Sequence, residues 1–140
     1  MINTLKKTLA ETYALYLKTQ TYHWNVTGPH FPSYHGMFEN QYQSLANAVD
    51  QLAERLRALG HTVPASFGFF EKLSTINTDV LPKDVCGMIF DLIKAHETLA
   101  QTLATLIQET LKAKDPVTAD LATERLAYHE KTLWLLKATL

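Results

Sequence analysis

His35, Glu39, Asp50 and Glu54 are the residues of this chain whose types and spacing could do chemistry. They form two pairs, each spaced i, i+4, so each pair projects from one face if the segment is helical. At about 100° per residue, Glu39 lies about 40°, Asp50 about 60° and Glu54 about 100° round from His35, all in one sector. Imidazole and carboxylate together suit a borderline divalent ion such as Fe(II), which can change valence.

The four cannot share an ion within one helix. His35 and Asp50 are about 22 Å apart at 1.5 Å per residue, whereas metal–ligand bonds are about 2 Å long. A second copy of the helix solves the problem. Laid antiparallel, with a two-fold axis between Ser44 and Leu45, it sets His35 and Glu39 of one chain against Asp50 and Glu54 of the other. One such contact builds two identical sites. His23 is a further candidate, because the Gly28-Pro29 turn folds the following helix back beside it. Trp24 and Tyr34 adjoin the two histidines, and Tyr42 and Ala46 fall in or near the same sector.

The elements that must position these residues are helices. The first is expected from about Asn3 to Thr27, the second from about Ser33 to Leu59, the third from about Lys83 to Ala113, and the fourth after Pro116. The third carries Val85, Met88, Ile89, Leu92, His96, Leu99, Leu103 and Leu106 at helical spacing. The fourth aligns Ala122, Leu126, His129, Leu133, Leu136 and Leu140. Short links join the first to the second and the third to the fourth, which suits antiparallel hairpins. The stretch from about 60 to 82 is long enough to cross the bundle end to end, and Phe67 to Leu73 can form a small helix within it. Two hairpins joined by a long crossover make an all-α, ferritin-like four-helix bundle, one domain over residues 1–140.

Bulk composition narrows the function. Of 140 residues, 46% are hydrophobic and 19% charged, an ordinary globular balance. The net charge of −1 supplies no general attraction to nucleic acid. No apolar run approaches a membrane span, and no secretion signal is evident, so a cytoplasmic location is expected. The single cysteine, Cys86, excludes an intrachain disulfide and reads as a small buried hydrophobe. No Glu is followed by His three positions later, which argues against an iron pair held inside one bundle.

The run Tyr22–Glu39 (YHWNVTGPHFPSYHGMFE) resembles the signature of the Dps family, the DNA-protection-during-starvation proteins or mini-ferritins. The resemblance continues through Asp50–Gly60 (DQLAERLRALG) and from Thr118 through His129-Glu130 to Trp134, and covers essentially the whole chain. It implies a dodecameric shell of four-helix subunits, with an extra short helix in the crossover. It implies oxidation of Fe(II) to Fe(III), preferentially with hydrogen peroxide, and storage of the ferric mineral inside. By motif position the iron ligands are His23, His35 and Glu39 of one chain with Asp50 and Glu54 of its mate. Glu39 stands where the family often has Asp, which keeps the carboxylate but lengthens its reach.

Secondary roles follow. Trp24 can supply or absorb an electron, or can simply pack at the two-fold contact. Asp115 and Asp120 are candidates for an iron entry pore, although helix N-termini attract acids for structural reasons too. The family's basic DNA-binding tail has no counterpart here: the chain opens on a helical pattern carrying only Lys6 and Lys7, fewer cations than phosphate-driven binding needs. DNA binding is therefore doubtful. Three alternatives remain open: a DNA-compacting shell with secondary iron chemistry, a non-catalytic helical interaction protein, and a zinc- or manganese-loaded protein of the same fold.

Overall fold

The computed structural model describes all 140 residues. It contains five helices and no strands: α1 (Ile2–Asn25), α2 (Phe31–Ala58), α3 (Phe67–Leu73), α4 (Val85–Ala113) and α5 (Pro116–Ala138). Helices α1, α2, α4 and α5 form the four-helix bundle, and α3 packs on α1 from within the crossover.

The helix ends follow local chemistry. α2 begins at Phe31, earlier than expected, because Pro32 sits in its first turn, where no backbone N–H is required. α1 stops at Asn25, and Gly28 takes a φ of 119° that turns the chain back. Asp84 caps α4 by accepting from Gly87 N–H at 2.7 Å. α4 ends at Lys114, whose φ of 56° is the left-handed conformation that usually falls to glycine. Asp115 then caps α5, with Pro116 in the first position.

Cross-helix bonds set the directions. Met1 N pairs with Glu109 and Lys18 with Asp91, so α1 and α4 run antiparallel. Arg55 pairs with Asp115, while the Tyr128 hydroxyl donates to the Gln41 carbonyl, so α2 and α5 are antiparallel too. It follows that α2 and α4 are parallel, which only a crossover spanning the bundle can achieve.

The core is mostly aliphatic. Leu5, Leu9, Leu15, Leu45, Leu52, Leu56, Leu92, Leu99, Leu103 and Leu106 are buried, with Tyr22 and Phe38 among them. Each buried leucine contributes roughly 1.5–3 kcal/mol from removal of apolar surface from water. Threonines are tolerated in α1 because their hydroxyls donate within the helix: Thr8, Thr12 and Thr19 reach the carbonyls of Thr4, Thr8 and Leu15 at 2.7–2.8 Å.

Two expectations are corrected. Cys86 is exposed rather than buried, because it lies in the first turn of α4, ahead of Met88 and Ile89 where burial of that helix begins. Leu140 lies past the end of α5 and is exposed as well.

Candidate metal centre

His23 sits in the last turn of α1 and His35 in the first turns of α2. The Gly28-Pro29 turn brings them together: the rings stack with centroids 3.7 Å apart and planes 16° from parallel. Each donates its Nδ1–H to the other's backbone carbonyl, His23 to His35 O at 2.8 Å and His35 to His23 O at 2.7 Å. A carbonyl can only accept, so this exchange fixes the proton on Nδ1 in both rings. Both Nε2 atoms then keep a free lone pair, the form in which a neutral imidazole binds a metal.

Burial differs across the candidate set. His23 is buried, His35 and Glu39 are half-buried, and Asp50 and Glu54 are exposed. The buried residues of α2 are Phe38, Gln41, Leu45, Ala48, Leu52 and Leu56, on the opposite side of the helix from the acids. Glu39, Asp50 and Glu54 take part in no ion pair within the chain; the neighbouring Arg55 is committed to Asp115. Three carboxylates thus project from one outward face with no cation within ion-pairing distance of them. Within one chain no group of three or more His, Cys, Asp or Glu side chains converges on a point. The fold brings His23 to His35 and leaves Asp50 and Glu54 further along the same helix.

The other candidates fall elsewhere. Trp24 is 65% exposed, beside the histidine pair but not packed on it. Asp115 is engaged by both Arg55 Nη2 (2.9 and 3.0 Å) and the Thr118 backbone N–H (3.0 Å). Burial acts to raise its pKa, but the hydrogen bonds from Thr118 and Arg55 outweigh that and hold the carboxyl below its ordinary value. Asp120 is exposed and unpaired on α5.

Sequence patterning did not disclose the aromatic company of the histidines. Tyr42 meets His23 edge-on with centroids 5.1 Å apart, and Phe31 lies 4.8 Å from His35. Nor did it reveal that His96 and His129 face each other in the core, with Nδ1 atoms 2.8 Å apart. Both are buried and sit near Arg125, whose guanidinium lies 4.2 Å from the Tyr128 ring. Burial, with Arg125 nearby, pushes His96 down to about 3. His129 is also lowered, by burial, His96 and Arg125. His96 on α4 and His129 on α5 carry no carboxylate partner and belong to no cluster of three metal-ligating side chains.

Comparison with known proteins identifies the fold and the family. The family described as the ferritin-like domain matches residues 2–140. The fold and this match therefore define a ferritin-like protein, the class associated with iron storage and oxidative protection. More narrowly, the chain belongs to the Dps family. It is 30% identical to the DNA protection during starvation protein of Helicobacter pylori, over 97% of this chain and 95% of that one. It is 35% identical to an uncharacterized low temperature-induced protein of Nostoc, over 99% of this chain and 78% of that one. Among solved structures, Dps from Thermosynechococcus elongatus superposes with a TM-score of 0.95 at 31% identity, covering 99% of this chain and 88% of that one. No helix is long and apolar enough to cross a membrane.

Proposed function

We propose that the protein is a cytoplasmic ferroxidase and iron store. Its substrate is Fe(II), its oxidant hydrogen peroxide, and its product a ferric mineral held inside a hollow shell of copies of this chain, a dodecamer by family resemblance. The observation that carries this reading is the reciprocal bonding of His23 and His35, which leaves two Nε2 lone pairs beside an unpaired acidic face.

The site is completed across a two-fold contact between two α2 helices. His23, His35 and Glu39 come from one copy, and Asp50 and Glu54 from the other. The histidines bind Fe(II) as neutral ligands, and the carboxylates favour the harder Fe(III) product, lowering the potential at which the electron leaves. Anionic groups without cationic partners draw Fe(II) to the contact and offset the charge gained on oxidation. Two Fe(II) ions supply the two electrons that convert peroxide to water, so no hydroxyl radical need escape. Asp115 and Asp120 serve as an approach for iron at the α4–α5 turn, with Asp115 also holding that turn together.

The test is anaerobic loading with Fe(II) followed by peroxide, read as near-ultraviolet absorbance, on wild type and His35→Ala. Fast ferric growth in a large soluble assembly, slowed at least about tenfold by the substitution, supports the reading. A wild type that oxidises iron no faster than buffer sinks it.

A further inference from the structure

Three tyrosines connect the histidine pair to the far side of α1. Tyr42 on α2 lies edge-on to His23, with centroids 5.1 Å apart. Tyr16 lies edge-on to Tyr42 at 5.9 Å, and Tyr13 edge-on to Tyr16 at 5.8 Å. The run ends where Tyr13 stacks on Phe70 at 4.7 Å, lining a cleft of about 400 Å³ between α1, α3 and the crossover. At such separations the ring edges are in van der Waals contact. Each phenol is half-buried, and Tyr16 is held in place by Gln20 Nε2, which donates to its hydroxyl oxygen at 3.3 Å. Phe70 has no phenol and is far harder to oxidise, so Tyr13 is the natural terminus. Tyr22, though nearby in sequence, is tied to Asp91 and lies off the run.

We propose that Tyr42, Tyr16 and Tyr13 form a relay that carries oxidising equivalents away from the metal centre to the cleft beside α3. This rests on the ferroxidase reading and specifies what happens when a site holds one Fe(II) instead of two. Peroxide needs two electrons and a single Fe(II) gives one. Tyr42 supplies the other: Fe(II) + Tyr–OH + H₂O₂ + H⁺ gives Fe(III) + Tyr–O• + 2 H₂O. The O–O bond breaks, and both oxygens leave as water. One proton comes from the phenol and one from solvent. The hole then passes from Tyr42 to Tyr16 and on to Tyr13, each phenol giving up its proton as the preceding one regains it. Contact-distance transfer is fast against turnover of about 1–1000 per second. The centre is thereby spared a hydroxyl radical, which would attack the ligands themselves.

The experiment uses the assembled protein loaded anaerobically with about one Fe(II) per site, mixed with peroxide, frozen within milliseconds and read by electron paramagnetic resonance. Absorbance on the same samples reports iron oxidation. The expected result is a tyrosyl signal that narrows when the tyrosines are ring-deuterated. Tyr42→Phe should cut its yield at least about fivefold while iron is still oxidised when two Fe(II) are supplied. Tyr13→Phe should leave the yield intact but shorten the radical's lifetime. Phenylalanine keeps the ring packing, so these variants fold, and Tyr128→Phe, on α5 and outside the run, should change nothing. Iron oxidation at the normal rate with no protein radical overturns the relay. So does a radical that survives Tyr42→Phe, or one that is lost instead in Trp24→Phe. Failure of wild type to oxidise iron at all removes the function and the relay with it, and absorbance tells that case apart.

Discussion

The Nδ1–H of His23 is held by the carbonyl of His35, and the Nδ1–H of His35 by the carbonyl of His23, at 2.8 and 2.7 Å. Two helix ends are locked together by the same atoms that choose the tautomer. The orientation of the two free Nε2 atoms and the α1–α2 turn are therefore one structural unit, and removal of either ring loosens both.

That coupling predicts unequal effects of substitution. His35→Ala should lower ferroxidase activity at least about tenfold, yet cost only about 1–2 kcal/mol of stability, the scale of the hydrogen bonds lost. Activity assays with urea melts of the same variant check this. A loss of stability comparable to that of an apolar core truncation, about 2–5 kcal/mol, would mark the pair as structural.

The proposed two-chain site predicts repair in trans. In a two-fold pair of His35→Ala with Glu54→Ala, one site loses both ligands and the other keeps both. Random co-assembly of the two inactive variants should restore about a quarter of wild-type sites, since about half the pairs are hybrid and each hybrid has one intact site. Peroxide-driven iron oxidation by the refolded mixture measures it. A mixture as inactive as its parents contradicts the shared site.

The Arg55–Asp115–Thr118 cluster joins the end of α2 to the start of α5. Asp115→Ala removes an N-cap and strands a guanidinium, and should destabilise the protein by about 1–3 kcal/mol. Because its pKa is depressed in the folded state, Asp115 stabilises at pH above its unfolded value, and this is lost as pH falls through the lower folded one. Urea midpoints followed from pH 6 to pH 3 should fall less steeply in Asp115→Asn than in wild type.

His96 and His129 act in the same direction for a different reason. Both are neutral and buried, with His96 held near 3, so between about 6.5 and 3 the unfolded chain binds protons that the folded chain refuses. Stability should therefore drop as pH falls through that window, on the order of 4 kcal/mol from His96 by its lower end. The double variant His96→Leu, His129→Leu should show a flatter stability profile between pH 6.5 and 4. An unchanged slope would place the acid sensitivity elsewhere.

Much of the molecule is written in local pattern. The helical stripe of α4, the breaks at Gly28-Pro29, Gly60 and Pro116, and the long crossover each depend on residues near one another in sequence. The i, i+4 spacing of His35 with Glu39 and of Asp50 with Glu54 places all four on one side of α2 for the same reason: a regular helix maps sequence onto angle. Even the approach of His23 to His35 is legible, since a tight turn leaves two helix ends little choice.

Other features had to await the packed structure. The exposure of Cys86 depends on how far the neighbouring helices cover the first turn of α4, and no local pattern encodes that. The exchange of Nδ1–H bonds requires two rings and two carbonyls placed to within tenths of an ångström. The run from His23 through Tyr42 to Tyr13 crosses from α1 to α2 and back, so although Tyr13, Tyr16 and His23 share a helical face, no sequence period links them to Tyr42. His96 and His129, 33 residues apart, meet only because α4 and α5 fold against each other. Helical periodicity determines which way a side chain faces; only the packing of helix on helix decides what it touches.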